Sequence, residues 1–187
     1  MKEIKSLFRP GFKICVSGAS ETGHCSGDAL EKAEMIGREI AKQGIILVTA
    51  STSGIPYWAA KGAKKEGGTV IGFSPAPSKD SHVNKFKLPL DFHDVIIYTG
   101  LNYSGRNLIL IRSSDAVIHI CGRVGTLNEF TIGFEDKKPL GILEGTGGTA
   151  DLIRNILENS NKGMGKTIFS KDPIKLLDRV IKEIKKN

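Results

Sequence analysis

Short apolar runs alternate with amphipathic stretches along the whole chain. Phe12–Ser17, Ile45–Val48, Thr69–Phe73, Val95–Tyr98, Ala116–Cys121 and Leu140–Leu143 have the length and apolar content of buried strands, and Thr167–Phe169 adds a short seventh. Between them the period changes to that of helices. From about Gly27, Ala29, Ala33, Ile36 and Ile40 share one face, and Gly44 stops the run. Pro56 opens a second helix carrying Tyr57 and Trp58. Ser104–Ser113, with Leu108, Leu110 and Ile111 inward, predicts a third, and a fourth starts at Thr126. Ala150–Asn159 predicts a fifth. Asp172 and Pro173 cap and open the last, whose inner face is Ile174, Leu177, Val180, Ile181 and Ile184.

Repeated strand–helix units with continuous apolar strands imply an α/β fold of three layers, a Rossmann-like αβα arrangement around a mostly parallel sheet of six to seven strands. Ligands of such folds bind beyond the carboxyl ends of the strands. The small-residue turns Gly18–Gly23, Thr49–Gly54, Gly122–Gly125 and Gly145–Gly148 all fall on that rim. The long irregular stretch from Ser74 to His93 has the character of a lid or binding loop, and its His82 and His93 are candidate ligand contacts.

The most informative segment is Ser114–Glu129, S-D-A-V-I-H-I-C-G-R-V-G-T-L-N-E. A strand, a glycine turn and a helix start place unpaired backbone N–H groups and the positive end of a helix dipole where an anion can approach. Gly122, Arg123, Val124, Gly125 and Thr126 form the expected phosphate cradle, with Gly18, Ala19, Ser20, Thr52, Ser53, Gly54, Thr99 and Gly100 on neighbouring turns. Arg106 and Asn107 lie one helix upstream, and Glu129 lies just inside the new helix. The spacing Thr126-x-x-Glu129 also fits a capping box, which would occupy both side chains in satisfying the helix's own amides.

Other motifs carry less. Gly163-Met-Gly-Lys-Thr lacks the first glycine of a P-loop, and its Thr167 enters a strand instead of a helix. His119 and Cys121 share a strand face, and His24 adjoins Cys25, but neither pair has further ligands at suitable spacing, so no metal site is expected. Tyr57 and Trp58 suit packing better than base stacking.

Composition narrows the partners. With 187 residues, 40% hydrophobic and 25% charged, the chain reads as one globular domain over residues 1–187. The net charge of +7 suits anionic metabolites, but much of it sits in the terminal helix, where the lysines form a solvated face, so nucleic acid is not the expected partner. Three cysteines without a CxxC pair, no signal peptide and no long apolar run predict a cytoplasmic protein with reduced thiols and no membrane contact.

The segments G-A-S-E-T-G, I-L-V-T-A-S-T-S-G-I-P-Y-W-A-A-K-G-A-K-K-E-G-G-T-V-I-G-F-S-P, T-G-L-N-Y-S-G-R-N-L-I-L-I-R-S-S-D-A-V-I and G-R-V-G-T-L-N-E resemble the LOG-like Rossmann superfamily, the group once labelled as lysine decarboxylases, over about residues 12 to 150. Its best-known enzymes are phosphoribohydrolases that cleave the N-glycosidic bond of nucleoside 5′-monophosphates. Their hallmark is Pro-Gly-Gly-x-Gly-Thr-x-x-Glu preceded by Arg-Lys. Arg106, Gly125, Thr126 and Glu129 match it, whereas Cys121, Arg123 and Asn107 replace the proline, the second glycine and the lysine. The Arg-Asn pair and G-T-G-G-T-A-D are more similar to the molybdenum-cofactor-carrier branch. The resemblance implies a phosphorylated ligand, a nucleoside monophosphate or a molybdopterin-type nucleotide, held by a carrier or sensor that requires no further cofactor. Its alternative is hydrolysis with Glu129 and Arg106 as catalytic residues, and single-stranded DNA binding is a third. It also implies a homodimer or a higher assembly of dimers.

Overall fold

The computed structural model describes residues 11–186. Seven strands form, each from an apolar run: β1 (Lys13–Gly18), β2 (Ile46–Thr49), β3 (Val70–Ser74), β4 (Val95–Tyr98), β5 (Ala116–Ile120), β6 (Leu140–Leu143) and β7 (Thr167–Ser170). All neighbours pair in parallel in the order β4-β3-β2-β1-β5-β6-β7. Parallel strands cannot be joined by hairpins, so every connection crosses a face of the sheet and carries a helix or loop there. The helices are α1 (Ala29–Lys42), α2 (Ile55–Lys65), α3 (Asn102–Arg112), α4 (Val124–Glu135), α5 (Ile153–Asn159) and α6 (Pro173–Ile184).

The sheet divides the core in two. One side joins Ile14, Val16 and Ile118 to Ile36 of α1, Ala59 of α2 and Leu177 of α6. The other joins Cys15, Val48 and Val117 to Leu110 and Ile111 of α3, Phe130 of α4 and Leu157 of α5. The three layers follow from the strands being apolar on both faces, since neither face can be left in water. Asp172 caps α6 as expected, its Oδ1 accepting from the backbone N–H groups of Ile174 at 2.9 Å and Lys175 at 3.0 Å.

Three local expectations are corrected. The inner face of α6 holds Leu176 beside Leu177, and Ile174 is only half-buried. Leu108 faces outward from α3, because the inner face runs through Arg106 and Asn107 and, one turn later, Leu110 and Ile111. The stretch after β3 contains a π-helical turn, Ser81–Lys85, that packs as structure. Buried His82 is hydrogen-bonded to Ser74 Oγ at 2.8 Å and the Pro89 carbonyl at 2.9 Å, and His93 to Thr49 Oγ1 at 2.7 Å. Both imidazoles therefore anchor the loop.

Topology positions the site. From β1 the chain steps outward through β2, β3 and β4, then returns to lay β5 on the other side of β1. The connections after β1 and β5 leave in opposite directions, which opens a crevice at the carboxyl ends of these two strands.

Candidate functional site

A cavity of about 280 Å³ occupies that crevice. Gly18 lines it from the end of β1, Ala19 and Ser20 from the loop that follows, and Ala50 and Thr52 from the loop after β2. Tyr103, Arg106 and Asn107 come from α3, and Arg123, Gly125, Thr126 and Glu129 from the start of α4. The turn before α4 is tight: Cys121 and Gly122 both have positive φ, 55° and 101°. This sharp reversal starts α4 at Val124, two residues earlier than the sequence pattern suggested. Arg123 is the N-cap residue and supplies no side-chain cap, and Gly125 and Thr126 of the uncapped first turn line the cavity.

The early start also removes the capping box. Thr126 and Glu129 fall within the helix proper, and the Glu129 carboxylate instead accepts a hydrogen bond from Ser17 Oγ on β1. Glu129 is 5% exposed. Burial pushes its carboxyl above the ordinary glutamate range, against the opposing influence of Arg106 and the Ser17 hydroxyl.

Arg106 is 3% exposed and anchored to backbone. Its Nη1 donates to the carbonyls of Ala50 at 2.6 Å and Phe73 at 3.1 Å, bridging the ends of β2 and β3. Burial lowers its pKa from the usual guanidinium value, opposed by Glu129, and the group stays cationic. Its Nε has no hydrogen-bond partner in the protein. Asn107 Nδ2 donates to Asn128 Oδ1 at 2.9 Å, and Asn107 Oδ1 is likewise buried without a partner.

Arg123 leaves the cavity open. Its Nη1 pairs with Glu21 Oε2 at 2.7 Å on the exposed rim. Six expected contacts lie off the cavity lining. Thr99 Oγ1 donates to the Ser74 carbonyl at 2.7 Å, and the Gly100 N–H to the Ala76 carbonyl at 3.0 Å. Val124 is exposed, and Ser53 and Gly54 line a separate shallow groove with Tyr57 and Trp58. Gly54, at φ 69°, admits the β1 loop: a Cβ there would stand 2.3 Å from the Ala19 carbonyl oxygen. Gly122 forms the turn itself. Ser17, Ala50, Tyr103 and Asn128 serve the site without having been expected there. Only the adjacency of Ser17 to the first glycine turn hinted at one of them.

The expectation of three reduced thiols is corrected as well. Cys25 and Cys121 form a disulfide, leaving Cys15, buried in the core, as the free cysteine. Ninety-six residues separate the pair in sequence, but β1 and β5 are neighbours, so the loops leaving them meet. His24 lies against the same sulfurs, whereas His119 turns inward against Phe130. No helix among the described residues is long and apolar enough to cross a membrane.

Comparison with known proteins agrees with this architecture. The model of the SLOG cluster4 family matches residues 11–177. The chain belongs to the SLOG cluster4 family. Its place in the LOG-like superfamily therefore holds. An uncharacterised protein of Archaeoglobus fulgidus is 32% identical over 132 residues, covering 71% of this chain and 82% of the relative. Among solved structures, the molybdenum cofactor carrier protein of Chlamydomonas reinhardtii superposes with a TM-score of 0.74 at 28% identity, over 95% of this chain and 99% of that one. The molybdenum cofactor binding protein of Rippkaea orientalis gives 0.71 at 28% identity, over 97% and 98%.

Proposed function

We propose that this SLOG cluster4 member binds a phosphorylated, nucleotide-type cofactor, a pterin nucleotide or a nucleoside monophosphate, in the crevice at the strand ends, as a carrier or sensor. One observation carries the reading. Arg106 Nε and Asn107 Oδ1, a cationic donor and a neutral acceptor, are buried in the cavity wall with no protein partner. A buried polar group left unsatisfied costs about 1–3 kcal/mol, so a ligand that supplies both partners recovers that free energy on binding. The uncapped amides of α4 take the phosphoryl group, and Arg106 and Asn107 take the remaining polar edge. The likeness to two proteins named for the molybdenum cofactor favours the pterin nucleotide.

Hydrolysis is the second reading, supported by Glu129. A buried carboxyl held by Ser17 on the cavity wall, with a raised pKa, is suited to orienting water or moving a proton at a glycosidic bond. Titration calorimetry with nucleoside monophosphates, the matching nucleosides and a pterin nucleotide, with chromatography for free base, distinguishes the readings. The expected result is binding that requires the phosphate and releases no base. Release of base establishes the hydrolase, and equal affinity for the dephosphorylated compounds overturns the anion site.

We further propose a homodimer formed through the face of α3 and β4. There Val95, Ile97, Leu108 and Ile109 are 53%, 42%, 36% and 38% exposed.

A further inference from the structure

His24, Cys25 and Cys121 converge behind the anion turn, and ligand binding as proposed uses none of them. Their ligating atoms all lie within 4.8 Å of one another. His24 Nε2 stands 3.5 Å from Cys121 Sγ and donates to the Gly122 carbonyl at 3.1 Å. A structural disulfide has no need of an imidazole against its sulfur. Two thiolates and an imidazole are, however, a common ligand set for a borderline or soft cation.

The scaffold holds the two sulfurs together independently of the bond between them. The Ser26 N–H donates to the Thr146 carbonyl at 3.0 Å, and Cys25 forms a β-bridge to Gly147. On the other side, the Cys121 N–H donates to Thr146 Oγ1 at 2.8 Å, and its carbonyl accepts from the Ala150 N–H at 2.8 Å. Both loops are thus tied to the same turn after β6, and reduction leaves the thiols facing each other. Tetrahedral zinc, with bonds of about 2.3 Å to sulfur and 2.0–2.1 Å to nitrogen, places a sulfur and a nitrogen corner about 3.5 Å apart. The observed His24–Cys121 separation has that value. His24 is exposed and Cys25 half-buried, which gives a cation access from solvent.

We propose that the dithiol form of Cys25 and Cys121, with His24 as third ligand, binds one zinc-class divalent cation, water completing the tetrahedron. On binding, both thiols ionise and their protons pass to solvent, while His24 exchanges its Nε2 proton for one on Nδ1 through solvent, which frees Nε2 for the cation and releases the Gly122 carbonyl. The disulfide and the metal site are alternative states of the same sulfurs. An external disulfide takes two electrons from the thiolate pair, leaves as two thiolates, and expels the cation as the Cys25–Cys121 bond forms. The proposal is independent of the nucleotide reading.

The test uses the full chain, reduced with a phosphine, and the metal alone. Zinc titrated against a chromogenic chelator is expected to bind at one equivalent. Cobalt in its place is expected to give thiolate charge-transfer bands and the intense visible bands of a tetrahedral site. Cys25→Ser abolishes both, His24→Ala weakens binding at least tenfold, and Cys15→Ala changes neither. Alkylating the reduced, folded wild type serves as a control that needs no refolding of a variant. The oxidised protein is expected to bind none. Zinc uptake by the reduced wild type no greater than by Cys25→Ser, full affinity in His24→Ala, or an octahedral cobalt spectrum overturns the site.

Discussion

His119 is buried with neither ring nitrogen hydrogen-bonded, and burial lowers its pKa from 6.5 to about 3. The unfolded chain protonates this imidazole near its ordinary value while the folded chain does not. As pH falls from 6.5 towards 3 the unfolded state therefore gains protons and stability drops; above 6.5 the residue has no pH effect. His119→Phe keeps a ring against Phe130 and removes the titration. Urea unfolding of both proteins at pH 7 and pH 4.5 is expected to show the variant gaining about 2–3 kcal/mol on the wild type at the lower pH. An unchanged difference would mean that the imidazole charges in the folded state. Glu129 acts with the opposite sign. Its raised pKa contributes stability that is fully present below the ordinary glutamate value and is lost as pH rises through the folded one.

The element that decides the site is the start of α4, and the sequence disclosed it only in part. Strand, glycine turn and helix were legible in order, because apolar periodicity and glycine are strong local signals. The side-chain roles were not. Spacing alone made Thr126 and Glu129 a cap, and only the left-handed pair Cys121 and Gly122 moves the helix start back and frees the carboxylate. Position after β4 and the resemblance pointed Arg106 and Asn107 to the site, whereas periodicity did not: it assigns inner positions to apolar residues, and a cleft reverses that rule. Gly125 tests the geometry. A Cβ there would meet no protein atom within 4 Å, so the bare position is not needed for packing. Gly125→Ala is expected to leave the melting temperature unchanged or raise it, since alanine favours helix by about 1 kcal/mol over glycine. Ligand affinity should fall at least tenfold as the methyl enters the anion's space. Undiminished affinity would place the phosphoryl group elsewhere.

At the scale of the molecule, strand number and layering followed from the alternation of patterns, whereas the meeting of Cys25 and Cys121 depended on strand order, which no local window contains. Strand order also leaves β4 as an edge. Val95 and Ile97 are paired with Ile71 and Phe73 of β3 and share their face, the one covered by α3. Like Leu108 and Ile109 of α3 they are exposed apolar side chains, which in the proposed dimer a second copy buries. Sedimentation velocity is expected to show a dimer for the wild type and a monomer for Ile97→Glu with an unaltered circular dichroism spectrum; a monomeric wild type would rule the assembly out. The tether of Arg106 to the Ala50 and Phe73 carbonyls has a kinetic implication. Its rotamers are frozen when the chain folds, so capture of a cofactor requires no further ordering of the guanidinium and departure releases none. Loading and unloading of the proposed ligand then both proceed on a rigid seat.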